Sequence, residues 1–289
     1  MLRLLCVLAL AACCLLSIDR APAAAEEPVV VLVTDPLAAP LSCPCVPGYA
    51  QRDYDQLGKH LAKAVGQDVK VYYAESVEGL KKQTKAKPAF IFGKDSVIRH
   101  EASAAGLAPA PLASLTGKDG KTTLTGLIVV VDKDPALIAA DLTDYTIYFG
   151  PAQADEKHVA AVKLLEGLKV AVPAQKETCL SCTAAATTVV DKARQGQKVA
   201  GVISSYAQLL LEGCGTIKKG ELRVVGETEP VPFVVAFATD AAPAELRDKV
   251  QKALLAVGGN PDLCKILESK AGFVAVPAAM AGDEGKKKD

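Results

Sequence analysis

Tryptophan is absent from the 289 residues, and phenylalanine and tyrosine together supply only 4% of them. Half of the chain is nevertheless apolar, so its core must be built from Val, Leu, Ile and Ala rather than from aromatic rings. Net charge is lacking too, since 33 basic side chains balance 33 acidic ones. That balance argues against nucleic acid as a partner, because such binders carry a basic patch and a high pI. Histidine occurs only at positions 60, 100 and 158, and no arrangement of residues makes a hydrolytic triad. Neither GxGxxG after a strand nor a Walker loop is present, which removes the glycine signals for nucleotide phosphates. Long apolar runs are missing as well, apart from one at the start.

That run, residues 4–17, follows Met1-Leu2-Arg3 and precedes Ala23-Ala24-Ala25, the pattern of an export signal with an A-x-A cleavage site. It falls short of the roughly 20 residues that span a bilayer. Leu10-Ala11-Ala12-Cys13 also has the shape of a bacterial lipobox, which would leave a lipid anchor on Cys13. Cys14-Leu15-Leu16 continues the apolar run where lipoproteins turn polar, so cleavage after Ala25 is the preferred reading. The expected location is periplasmic or secreted, with a lipid anchor as the alternative. Loss of residues 1–25 removes Arg3, Asp19 and Arg20 and leaves 31 basic and 32 acidic side chains. About 264 residues remain, enough for one large domain or two medium ones.

Six cysteines also remain, at 43, 45, 179, 182, 214 and 264. Cys43-Pro44-Cys45 and Cys179-Leu180-Ser181-Cys182 each sit in a loop before an expected helix. In an oxidising compartment such pairs are disulfides, metal ligands or reactive thiols. Sequence cannot choose among the 15 pairings that six cysteines allow. C-x-x-C is a common metal chelate and C-x-C a tighter one, and four thiolates would suit Cu(I) or Zn. Thr183 stands where a c-type haem would need His. Cys214 and Cys264 are read as paired with each other or as single buried thiols.

Strand and helix signals alternate. Strands are expected at 29–34, 68–73, 88–92, 124–131, 144–149, 169–172, 199–203, 222–225 and 233–238. Helices are expected at 49–65, from Ser76, at 158–168, at about 183–193, from Ser204 to Gly213, and at 243–257. The tail 282–289 is a charge run without apolar content and is expected to be disordered. The alternation implies an α/β protein with mostly parallel sheets flanked by helices.

The pieces carry a resemblance. The opening strand, loop and long helix (residues 29–66), Asp141-Leu142-Thr143, residues 196–205, Glu229-Pro230-Val231-Pro232-Phe233, and residues 241–255 match in order the periplasmic phosphate, phosphite and phosphonate-binding proteins of ABC importers. These belong to the transferrin-like, type II class of solute-binding folds. The resemblance implies two α/β lobes: lobe 1 from 26–128 and 229–281, lobe 2 from 129–228. It implies a small solute held in the cleft, non-enzymatic action, and the membrane subunits of an importer as partners. Strand carboxyl ends should face that cleft.

The departures are informative. Where the family places Ser/Thr-Ser-Gly to grip an oxyanion, the chain has Gly150-Pro151-Ala152-Gln153-Ala154-Asp155-Glu156, with two carboxylates and no hydroxyl. Tight phosphate or phosphonate binding is therefore not expected. In place of the next cleft loop stands Glu177-Thr178-Cys179-Leu180-Ser181-Cys182-Thr183, so cysteines would border the cleft from both lobes. The expectation is one shared site of Cys43, Cys45, Cys179 and Cys182. It would take Cu or Zn if it holds metal, and the alternative function is a metal or redox protein reusing the fold without transport. Tyr49, Gln51, Arg52, Asp53, Ser204, Ser205 and Tyr206 are candidate polar contacts to the solute. Asp53 could equally serve the first helix N-terminus, and Ser204 or Ser205 could cap the helix that follows. His158 beside Asp155 and Glu156 is a candidate ligand, while His60 and His100 are expected to be solvated.

Overall fold

The computed structural model describes residues 27–277. The expected export signal with Cys6, Cys13 and Cys14, and the tail 282–289 expected to be disordered, lie outside the described residues. The chain first lays down β1 (Val29–Val33), α1 (Tyr54–Val65), β2 (Val69–Tyr73), α2 (Val77–Leu80), β3 (Phe90–Lys94), α3 (Asp95–Ala104) and β4 (Ala110–Leu115). A short β5 (Thr123–Leu124) leads into β6 (Gly126–Val131), β7 (Thr146–Phe149), α4 (Val159–Gly167), β8 (Glu177–Thr178), α5 (Cys182–Arg194), β9 (Val199–Ser204), α6 (Ala207–Gly213) and β10 (Leu222–Glu227). The chain returns through β11 (Val231–Pro232), β12 (Val234–Ala238), α7 (Ala244–Leu255), α8 (Pro261–Ile266) and β13 (Phe273–Val274).

The strands make two mixed sheets, each flanked by helices, and a small ladder. The first sheet has the order β13-β4-β12-β3-β1-β2 and the second β10-β6-β9-β7-β8. Parallel pairing is confined to β2-β1-β3 and to β8-β7-β9; the remaining pairs are antiparallel. β1 is five aliphatic residues, all buried, and a strand covered on both faces reads as such a continuous run. α1 buries Tyr54, Leu57 and Leu61 on one face; Asp53 accepts from the Gln56 N–H at its start, and Gly66 ends it in the left-handed conformation.

The cores follow the composition. Around the first sheet a single chain of rings, Tyr54, Phe92 and Phe273 with centroids 6.1 Å apart, lies in a mass of Val, Leu and Ala. The second sheet packs Ile128, Phe149, Leu165 and Val202 on one face and Val129, Val189, Ile203 and Leu211 on the other. The halves are joined where the chain crosses between them, by the antiparallel pair β5–β11 with Leu124 opposite Val231. Gly126 and Thr228 brace the same crossing: the Gly126 N–H donates to Thr228 Oγ1 at 2.8 Å and the Thr228 N–H to the Gly126 carbonyl at 2.9 Å. Among the described residues no helix is long and apolar enough to cross a membrane.

Several elements differ from expectation. The first helix starts at Tyr54 rather than 49, because residues 49–53 are held in a loop. Ala50 is left-handed (φ 56°) and Arg52 forms a parallel bridge with Ala38. No strand forms over 169–172: Lys169 takes a positive φ of 61° and Pro173 follows, so the edge strand comes later as β8. α3, β4 and β13 were not expected at all, while α8 is the helix expected around Cys264.

Candidate functional site

The carboxyl ends of β1, β3, β7 and β9 deliver the polar residues of the interior. β1 runs into Thr34 and Asp35. Asp35 is fully buried and accepts from Arg52 Nη1 at 2.8 Å, Tyr54 OH at 2.6 Å and the Leu37 N–H at 2.9 Å. Three donors satisfy this carboxylate and pin the loop between β1 and α1. Burial would lower the Arg52 pKa, but Asp35 reverses that and holds it above the usual arginine range. Arg52 also lies over the Phe233 ring, 5.7 Å from its centroid.

β3 ends in Lys94, β9 ends in Ser204, and the 3-10 turn Asp155–Lys157 follows β7. These three bring together an ammonium from the first sheet and two groups from the second. Lys94 Nζ donates to Glu156 Oε1, and Ser204 Oγ donates to the same oxygen at 2.6 Å. Glu156 is fully buried, and its Oε2 is without a hydrogen-bond partner. Burial would raise the Glu156 pKa, yet Lys94 and the Ser204 hydrogen bond outweigh it and hold the carboxyl below its usual range. For Lys94, burial wins over the attraction of Glu156 and draws the ammonium below the usual lysine range. Asp155, one residue away, is pushed up by burial and by its acidic neighbours Glu156 and Asp95. A second bridge runs beside the first: Ser96 Oγ donates to the Gln153 carbonyl at 2.8 Å and accepts from the Asp155 N–H at 3.3 Å.

A cavity of about 420 Å³ opens next to this pair, walled by Thr34, Lys94, Glu101, Lys157, Cys182 and Tyr206, among others. Thr34 Oγ1 is buried there without a partner. Cys182 opens α5, whose N-cap is Ser181. Its Sγ accepts from the Ser204 N–H at 3.4 Å and lies 3.6 Å from Ser204 Oγ. A second cavity of about 280 Å³ is walled by Tyr49, Arg52, Lys118, Ser205, Tyr206 and Phe233, with others. Tyr206 borders both, its ring stacked on Phe233 at 5.5 Å. Tyr49 OH donates to the Tyr206 carbonyl at 3.1 Å.

Of the candidate solute contacts, Tyr49, Arg52, Ser205 and Tyr206 thus surround one cavity, while Asp53 is occupied as the cap of α1. Gln51 donates its backbone N–H to Glu268 at 3.1 Å. Ser204 is committed to Glu156, and Ser205 to the backbone of Thr125. His158 Nδ1 donates to the Gly150 carbonyl at 2.8 Å. Lys94 was missed: the charge that answers Glu156 sits at the end of an apolar strand 62 residues away, where no local pattern marks it.

The four expected cysteines are not one cluster among the described residues. Cys43 and Cys45 are bonded to each other, and their nearest sulfur neighbour is Cys214. Cys179 is a buried free thiol near Thr188, and Cys182 borders the cavity described above. Cys264 is a single buried thiol beside the Val257 carbonyl. The reason is local: α6 carries the chain from Tyr206, at the cavity, to Cys214 at its far end, and the first cysteine loop packs on that far end. Val46 lies so close to Gly213 that an added Cβ would come within 2.2 Å of it.

Comparisons with known proteins agree with this architecture. Residues 47–280 match the family described as ABC transporter, phosphonate, periplasmic substrate-binding protein. A search of curated proteins by sequence finds no match. Among solved structures, the binding protein component of an ABC phosphonate transporter from Pseudomonas aeruginosa is 14% identical, with a TM-score of 0.64 over 89% of this chain and 84% of that one. PhnD1 from Prochlorococcus marinus, solved with methylphosphonate, is 10% identical, with a TM-score of 0.60 over 89% and 96%. XAC2383 from Xanthomonas citri, solved with chloride, is 14% identical, with a TM-score of 0.62 over 87% and 92%. At these identities the likeness is one of fold: the two-lobed scaffold of periplasmic binding proteins.

Proposed function

Because the chain belongs to the periplasmic substrate-binding proteins of phosphonate-type ABC transporters, we propose that it delivers a small zwitterionic or uncharged solute, and not a phosphonate, to the membrane subunits of an importer. The solute would sit between the lobes in the cavity bordered by Thr34, Lys94, Cys182 and Tyr206. One observation carries the reading: the Glu156 carboxylate holds the Lys94 ammonium and the Ser204 hydroxyl. Those are the donors an incoming oxyanion would need. A buried carboxylate beside them would repel a dianion, and like charges at close range cost several kcal/mol in a dry site. The cavity wall supports a solute of balanced charge, since Glu75 and Glu101 accompany Lys94 and Lys157. Cys182, at the start of α5, takes the place of a hydroxyl in this wall.

Calorimetric titration with phosphate, phosphite and methylphosphonate tests the reading. The expected result is no binding at micromolar concentration. A thermal-shift screen of zwitterionic and neutral solutes should yield the stabilising ligand, because a ligand at 100 times its Kd adds about 2.7 kcal/mol to folding. Micromolar binding of any of the three anions would restore a phosphonate-type ligand.

A further inference from the structure

Cys43 and Cys45 are joined as a disulfide, with Cα atoms 5.3 Å apart. The free thiol of Cys214 completes a group whose three sulfurs all lie within 4.8 Å of one another. Cys45 is exposed and the other two are half-buried, so small reductants and ions can reach them. The placement is fixed by backbone on both sides. Cys214 closes α6, its N–H bonded to the Leu210 carbonyl at 2.8 Å. The loop carrying Cys43 and Cys45 is tied at its base, where the Ala39 N–H donates to the Arg52 carbonyl and the Arg52 N–H to the Leu37 carbonyl, both at 3.0 Å. Val46 packs against Gly213 between the two anchors. The loop issues from the first sheet and α6 follows β9 of the second, so the sulfur group joins the two halves of the molecule. Pro44 fixes the backbone between the paired cysteines.

We propose that Cys43, Cys45 and Cys214, once the disulfide is reduced, hold one Cu(I) ion as a three-thiolate site that ties the cysteine loop to α6. Reduction takes two electrons and two protons from a dithiol reductant, which closes its own disulfide while Cys43 and Cys45 become thiols. Cu(I) then displaces the three thiol protons to solvent. Metal–sulfur bonds of about 2.3 Å place three sulfurs around a trigonal ion about 4 Å apart. After reduction Cys43 and Cys45 therefore move apart from bonding contact, while Cys214 stays within the 4.8 Å that already separates the group. Thiolates select Cu(I) and Zn among biological ions. Zinc in structural sites takes four ligands, and among the described residues no fourth His, Cys, Asp or Glu joins the group. Three-coordinate Cu(I) needs none. Of these three sulfurs only Cys214 is a thiol in the oxidised protein, so the redox state of the pair decides whether the site exists. The site stands apart from both cavities and does not depend on the nature of the solute.

The test uses protein recovered after export, reduced without oxygen by a phosphine and titrated with Cu(I) against a chromophoric Cu(I) chelator. Reduced wild-type protein is expected to take one equivalent, with three sulfur scatterers near 2.3 Å in X-ray absorption. Oxidised protein should take none. Cys214→Ser should lose the retained copper, and Cys43→Ser/Cys45→Ser, confined to a surface loop, should lose it too. Cys264→Ser should keep it. Copper held as tightly by reduced C214S as by wild type, or equally by oxidised and reduced protein, overturns the proposal.

Discussion

Among the described residues, Lys94 and Glu156 form one of two ion pairs buried in the interior, the other being Arg52 with Asp35. Each alone would be an uncompensated buried charge, and removing one partner of such a pair costs about 3–5 kcal/mol. Lys94→Ala leaves the Glu156 carboxylate with only Ser204 as donor, so an unfolding free energy lower by that amount is expected from urea denaturation. Glu156→Gln keeps the shape but removes the titration. The folded Glu156 pKa lies below its ordinary value, so its contribution is fully present above the ordinary carboxylate range, about pH 4.3. It is lost as pH falls through the lowered folded value. Denaturation followed from pH 6 down to pH 3 should show wild type losing more stability than E156Q. Parallel losses in the two would mean that Glu156 does not carry this charge.

At the scale of elements, aliphatic runs were the legible part of the sequence. β1, β9 and β12 are buried throughout and announce themselves as runs dominated by Val, Ile, Leu and Ala, broken only by Gly201, the closing Ser204 and Phe237. α1 and α7 show their buried faces at helical spacing and were read within a few residues. α3 escaped because His100, Arg99 and Glu101 give its middle a polar look, although Ile98 and Ala102 are buried. β4 starts beside Pro109 and contains Pro111, both of which speak against a strand. The candidate site was half legible. The loops at strand carboxyl ends were identified, and the two carboxylates of the 150–156 loop were singled out. Their cationic partner was not, and neither was the meeting of Cys214 with Cys43 and Cys45, because contacts across 62 and more than 160 residues leave no local trace. One element contact offers a direct test. Gly126, at the start of β6, faces the Glu156 carbonyl so closely that a Cβ would lie 1.9 Å from its oxygen. Gly126→Ala must push the Asp155–Lys157 turn away from β6 and should cost about 1–3 kcal/mol. Gly167→Ala, with open space around it at the end of α4, should leave the melting temperature equal or higher. A G126A variant as stable as G167A would show that the turn yields without strain.

The whole molecule is two packed halves joined by the β5–β11 crossing and pinned across by Lys94–Glu156, Ser96–Gln153 and Tyr49–Tyr206. Motion between the halves should be a hinge bend at the crossing strands, which absorb the backbone change. Glu156→Ala deletes the strongest of the cross-links, and small-angle scattering should then report a larger radius of gyration than for wild type. Identical envelopes would place the restraint elsewhere, among the Ser96 and Tyr49 bonds, the Tyr206–Phe233 stack and the Val46–Gly213 contact. Glu156 has a further consequence for the molecule as a receptor. It is a competitor that never diffuses away. A group on a short tether acts as though present at about millimolar concentration. Any dilute anion entering the cleft must therefore win against a side chain that is always at hand, and its apparent affinity falls in proportion. On the proposed function, discrimination against free oxyanions would then depend on the concentration of a built-in rival, and the solutes bound would be those that leave that rival in place.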